Sequence, residues 1–308
     1  MFEVNNLSIG FVRYGKGVSR NTLLPIRSLD IQVDRGEVVA VVGESGAGKS
    51  LLAHAALGLL PHNARVHGQM RFKGELLTEA RKTKLRGRKI ALIPQSVGFL
   101  NPLRRIGPQA RRAAVLSGHR PYEATQSVNL AFERYLLGPE VNRMFAHQLS
   151  GGMARRVLTA MATAGRAELI IADEPTTGLD SQTVRESLNH LRRLADHGKG
   201  VMLITHDIAA ALTIADKVAV FHSGTTVEVA PSTAFNGSAK LHHPYSRLLW
   251  RCMPQNSFVE LDNNYVPSPN SGKGCRYLPI CPQHKTRCQE KMPEIRKIEN
   301  ALVRCHYA

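Results

Sequence analysis

One stretch constrains this chain more than any other: Gly43-Glu44-Ser45-Gly46-Ala47-Gly48-Lys49-Ser50, spaced G-x-x-x-x-G-K-S. It follows the apolar run Val38–Val42 and precedes a helical pattern from Leu51 to Leu60. The glycines let backbone N–H groups turn inward around an anion. Lys49 can reach the outer phosphates of a nucleoside triphosphate, and the Ser50 hydroxyl can ligate Mg²⁺. The helix that starts there turns the favourable end of its dipole to the same anion. A buried strand must therefore run straight into a helix, which is the building unit of an α/β sheet.

The rest of the chain repeats that alternation. Leu169-Ile170-Ile171-Ala172 and Val201–Thr205 read as buried strands, followed by helices over 183–195 and 207–215. Residues 218–222 and 225–229 flank Ser223-Gly224 as a hairpin. Further strands are expected over 2–9, 68–73 and 89–95. Leu29, Ile31 and Val33 alternate with polar residues as a half-buried strand of an antiparallel layer. From Leu103 to Leu137 the pattern turns helical, with breaks at Gly118–Pro121 and Gly138-Pro139, and marks a helical insertion. The first helix should stop near Pro61, and another should run from Ser150-Gly151-Gly152 to about Ala164. Val266–Gly272 has the composition of a linker.

Two further groups carry chemistry. Asp173 ends a buried strand, where a carboxylate can reach Mg²⁺ beside the phosphates, and Glu174 next to it can polarise an attacking water as general base. Ser150-Gly151-Gly152-Met153, roughly a hundred residues after the first loop, offers a hydroxyl, close backbone approach and a helix N-terminus to a second anion.

Together these residues resemble the ATP-binding cassette of ABC transporters. The resemblance implies an α/β P-loop cassette with an antiparallel β subdomain, a helical insertion at about 97–165, and a small cysteine-rich C-terminal domain. It divides the chain into a cassette over 1–235 and an extension over 236–308. Gly43 to Ser50 is then the ATP loop. Gln95 is the glutamine that ligates Mg²⁺ and water at the seam with the insertion. Ser150 to Met153 is the signature, Gly178-Leu179-Asp180 the D-loop, and His206 the switch histidine at the γ-phosphate. Cassettes of this family pair head to tail, each signature serving the partner's ATP. Family members usually carry glutamine where this chain has Met153, and an aromatic shortly before the ATP loop. Asn21–Pro25 holds no aromatic, and Phe11 and Tyr14 lie further upstream.

Ile93–Leu103, His243–Leu249 and Gly274–Pro282 are similar to segments of peptide and nickel importers. That narrower resemblance implies a cytosolic ATPase subunit for peptides, nickel or metal chelates, with the metal branch slightly favoured. Its partners would be a second, non-identical cassette, membrane permease subunits and an extracytoplasmic binding protein. It would sit peripherally on the cytoplasmic face of the cell membrane.

Cys275, Cys281, Cys288 and Cys305, spaced C-x₅-C-x₆-C-x₁₆-C, can hold Zn²⁺ or an iron–sulfur cluster, and Cys252 stands apart as a free thiol. The resemblance favours [4Fe–4S]. Met1–Asn6 has no basic stretch and apolar core of a signal peptide, and no apolar run spans a bilayer. The net charge of +17 is spread over several segments without interleaved aromatics. A surface facing lipid headgroups is therefore expected rather than a nucleic-acid site. A non-transport cassette acting on nucleic acid or ribosomes is the alternative.

Overall fold

A computed structural model describes residues 1–14, 20–256 and 273–308. The linker expected at 266–272 lies outside them. In chain order, strands β1 (Phe2–Tyr14), β2 (Arg20–Val33) and β3 (Val38–Gly43) lead into α1 (Lys49–Leu57). Then come β4 (Ala64–Phe72), β5 (Glu75–Leu76), α2 (Glu79–Leu85) and β6 (Ile90–Ile93). Helices α3 (Ile106–Leu116), α4 (Pro121–Arg134) and α5 (Gly151–Thr163) follow. Next are β7 (Leu169–Asp173), α6 (Ser181–Asp196), β8 (Gly200–Ile204), α7 (Ile208–Leu212), β9 (Lys217–His222) and β10 (Thr225–Pro231). The chain closes with α8 (Pro244–Cys252), α9 (Thr286–Glu290), β11 (Arg296–Ile298) and β12 (Ala301–Val303).

The main sheet runs β5-β4-β1-β2-β10-β9-β3-β8-β7-β6. Its right half is parallel: β3 lies between β9 and β8, and β7 between β8 and β6. Its left half, β1 against β2 and β4, is antiparallel. β3 shows why the phosphate loop is held firmly. Val39 and Val41 face one core with α1 and the antiparallel strands; Val38, Ala40 and Val42 face a second core with α6 and α7. Period-2 alternation with both faces apolar is what a fully buried strand requires.

The insertion has its own core, from Leu100 through Phe132 to Ala164. It is tied back where the Arg155 guanidinium donates to the Gln95 carbonyl at 3.2 Å. Met153 packs half-buried against this core. That accounts for an apolar residue where the family usually has glutamine.

Several boundaries differ from expectation. The first helix ends at Leu57 rather than near Pro61, because Gly58 adopts φ 64° and caps it. α6 begins at Ser181, two residues early, because the Asp180 carboxylate accepts from Gln182 and Thr183 N–H at 3.1 and 2.9 Å. α7 is shorter than expected and α2 was not anticipated.

Residues 236–256 and 273–308 are built into the same body. Buried Glu228 of β10 accepts from the His242 and His243 N–H groups, both at 2.9 Å, and so fixes the start of α8. Tyr245, Leu249, Met253 and Tyr277 enter the core beneath β3. β12 pairs with β10, and Arg304 reaches Asp30 at 2.5 Å. Among the described residues no helix is long and apolar enough to cross a membrane.

Candidate functional site

The loop after β3 folds as its glycines dictate. Gly46 and Gly48 adopt φ 84° and 93°, a region L side chains rarely occupy. A Cβ on Gly43 would meet the Phe221 carbonyl oxygen at 2.0 Å. Gly48 ends the loop and α1 starts at Lys49.

Lys49 is buried, and its ammonium donates to the Gly43 and Glu44 carbonyls at 2.8 and 2.9 Å. Burial pulls its pKa down, opposed by the carboxylates of Glu174, Asp173 and Glu44. A cation held in this way is ready to exchange loop carbonyls for phosphate oxygens. The Ser50 hydroxyl donates to Asp173 Oδ1 at 3.1 Å, so two of the three expected Mg²⁺ ligands already touch. Burial pushes the Asp173 carboxyl above its ordinary value, against that hydrogen bond. A divalent cation there would relieve the cost of the buried charge.

Glu174 is 7% exposed and sits at φ 50°, a left-handed conformation for a residue with a Cβ. Its N–H donates to the Ile204 carbonyl at 2.9 Å, which places the departure from β7 against β8. Such strain persists only where surroundings enforce it, and here it turns the carboxylate into the cleft. Glu174 Oε2 accepts from the Thr177 hydroxyl at 3.2 Å and lies 2.8 Å from His206 Nδ1. His206 itself is largely exposed, at 66% for the side chain.

Lys49, Ser50 and Glu174 border one cleft of about 210 Å³, which Ser45, Gly46 and Gln95 also line; Asp173 and His206 are not in its lining and join it through Ser50 and Glu174. Ser150 to Met153 do not line it. The Ser150 hydroxyl instead caps α5 by accepting from Met153 N–H at 3.2 Å. Asp180 caps α6 in the same way, with Gly178 at φ 72°. Of the upstream aromatics, Phe11 does not line the cleft. Phe11 is partly buried against the first core, and the side chain of Tyr14 lies outside the described residues.

The tail cysteines are all free thiols, as is Cys252. Cys275, Cys281, Cys288 and Cys305 line one cavity of about 10 Å³, room for about one water. Yet among the described residues no three His, Cys, Asp or Glu side chains stand close enough to share one metal ion. The four-thiolate tetrahedron considered from the spacing is thus not formed as a single-ion site. Burial pushes the Cys275 thiol up to about 11.

Sequence reasoning missed His222 and Ser223, which hold the Glu44 side chain from the hairpin between β9 and β10. The only signal for them was their place opposite the loop in a hairpin already legible.

Comparison with known proteins gives consistent results. Residues 26–177 match the ABC transporter family. The chain is 32% identical to the dipeptide transport ATP-binding protein DppD of Haemophilus influenzae, over 99% of this chain and 95% of that protein. It is 36% identical to the oligopeptide transport ATP-binding protein OppD of Lactococcus lactis subsp. cremoris, over 87% of this chain and 80% of that one. Among solved structures, a dimeric bacterial ABC transporter cassette, MJ0796, superposes with a TM-score of 0.66 at 23% identity. It covers 75% of this chain and 99% of its own.

Proposed function

This chain belongs to the ABC transporter ATP-binding family, in its dipeptide and oligopeptide branch, and we propose that it is the ATP-hydrolysing subunit of a peptide importer. The observation that carries this reading is the single cleft joining Lys49, Ser50, Gln95 and Glu174, with Asp173 bonded to Ser50 and His206 bonded to Glu174. Backbone N–H groups of Gly43 to Ser50 and the Lys49 ammonium bind the triphosphate. Ser50, Gln95 and Asp173 hold Mg²⁺, which when bound neutralises charge on the phosphate oxygens. Glu174 takes the proton of the attacking water, and His206 orients that carboxylate and senses the γ-phosphate.

A second cassette supplies the other half of the site. Support comes from Ser150 to Met153 standing outside the chain's own cleft. By the same logic, Ser150 to Met153 and Asp180 serve the partner's ATP, and Met153 suits a non-identical pair. An apolar groove of about 390 Å³, lined by Leu57, Leu92, Pro94, Phe99, Leu116 and Met161, supports a permease contact. Pro94 lines this groove and Gln95 the ATP cleft, so a membrane partner seated there would lie one residue from the nucleotide. The protein would then work peripherally at the cytoplasmic face of the membrane, fed by an extracytoplasmic binding protein. Peptide cargo is preferred to nickel or metal chelates because the relatives above are peptide-transport proteins by name.

On this reading the chain divides into an ATPase cassette over 1–235 and a C-terminal extension over 236–308. We assign the four tail thiols to a [4Fe–4S] cluster in preference to Zn²⁺. Zn–S bonds of about 2.3 Å bring thiolates to one point, whereas a cluster spreads them over four irons. What supports a shared ligand is that all four thiols are free and line one cavity.

Affinity purification from detergent-solubilised cells tests the transporter reading. Recovery of a membrane permease and a second cassette is expected; recovery of nucleic acid or ribosomes without a permease would refute it.

A further inference from the structure

The ATP loop is gripped from behind by the C-terminal extension, through a histidine to which sequence reasoning gave no role. Glu44 lies inside the loop, and its backbone carbonyl accepts the Lys49 ammonium at 2.9 Å. Its side chain turns away from the cleft. Glu44 Oε1 lies 3.1 Å from His222 Nδ1 and accepts from Ser223 N–H at 3.2 Å and the Ser223 hydroxyl at 3.4 Å. Burial alone would raise the Glu44 carboxyl; the contacts to His222 and Ser223 bring it below its ordinary value, so it stays ionised.

His222 is 0% exposed. Its ring packs against Tyr245 at 4.4 Å between centroids and meets Tyr277 edge-on at 5.3 Å. Tyr245 and Tyr277 both come from the extension, and they touch each other and His243. Tyr277 and His243 also wall the cavity of the four cysteines. One ring therefore separates the cysteine cavity from His222, and His222 touches the residue whose carbonyl holds the Lys49 ammonium.

We propose that His222 is a positioning residue for ATP binding, and that the C-terminal extension sets the conformation of the ATP loop through Tyr277, His222 and Glu44. This rests on the reading of Gly43 to Ser50 as the ATP loop. It gives the cysteine-rich tail a task in the hydrolytic cycle: loss of order around the cysteines loosens Tyr277, then His222, then the Glu44 carbonyl. The alternative is that the aromatic box only fills space, in which case the polar atoms of His222 are immaterial.

The test uses the full chain, with affinity for a fluorescent ATP analogue and steady-state ATP hydrolysis as readouts. His222→Ala is expected to weaken nucleotide binding about five- to tenfold, the scale of one ordinary polar contact, while kcat at saturation changes less than twofold. His222→Asn, which keeps a donor near the position of Nδ1, recovers most of that affinity. Tyr277→Ala reproduces the affinity loss, and Tyr277→Phe, which keeps the ring, reverses it. In Glu44→Ala/His222→Ala the two losses do not add. If the losses add, or if Asn rescues nothing while His222→Leu does, the box is packing alone and the proposal fails. Should His222→Ala not fold, the Tyr277 pair and the Asn/Leu comparison still decide. Lys49→Ala separates the two layers. If it leaves ATP binding intact, the loop assignment is wrong. If it abolishes binding while the His222 variants bind normally, only the present inference is lost.

Discussion

Replacing Glu174 by glutamine separates chemistry from architecture at this site. Glu174 Oε2 receives the Thr177 hydroxyl at 3.2 Å and faces His206 Nδ1 at 2.8 Å. A glutamine carbonyl oxygen accepts both, occupies the same volume, and keeps the backbone bond to Ile204. Melting temperature should therefore stay within about 3 °C of wild type, since no buried group is left unpaired. What is lost is basicity. A positioned general base contributes roughly 10²–10⁴ in rate, so the barrier rises by about 3–5 kcal/mol. Glu174 is also one of three carboxylates near the Lys49 ammonium. Neutralising it removes repulsion toward the γ-phosphate, so ATP affinity should hold or improve. Phosphate release at saturating MgATP measures the first effect. Nucleotide binding and light scattering on the eluted complex measure the second, with an ATP-bound cassette pair expected to accumulate. A turnover within threefold of wild type, with melting unchanged, would refute the assignment of Glu174 as the base.

Two other expectations concern distant parts of the molecule. Glu168 is ringed by Arg35, Lys73 and Lys89, at 2.8, 2.5 and 3.0 Å, and the Lys73 contact above all holds its carboxyl down to about 2. A depressed carboxyl stabilises the fold above its unfolded value of 4.5 and loses that contribution as pH falls toward about 2. Glu168→Gln should flatten acid unfolding in that window, and an unchanged acid limb in circular dichroism would contradict the ion cluster. For the tail, protein purified without oxygen should be brown, with about four irons and four sulfides per chain as that cluster type requires. Colourless protein carrying zinc would overturn the cluster assignment.

The features legible in the sequence were those fixed by neighbours along the chain. Gly43 to Ser50 dictates its own turn, and Leu169–Asp173 its own buried strand, so both came out where expected. Leu29, Ile31 and Val33 are buried while Gln32 is exposed, as their alternation requires. The features that were not legible depend on distant partners. β12 is a three-residue strand that exists because β10 offers it an edge where β2 diverges. Met153 looks like a defect in a polar motif until the insertion's core is seen beneath it. His222 carries no pattern of its own; only the approach of Phe221 to Gly43 puts it beside Glu44. The cysteine spacing gave four donors, but their separation belongs to the loops that carry them.

The clasp between Arg304 and Asp30, residues 274 apart in the chain, also governs when the protein can mature. Arg304 donates to the Thr226 and Pro293 carbonyls as well, each at 3.0 Å, so it knits the cassette's β10 to the tail. While the ribosome is still making the chain, β1 to β9 can assemble, but β10 lacks the β12 edge until residue 304 has emerged. Contacts of such long separation form late and close slowly. The join between cassette and tail is thus among the last parts of the molecule to be completed.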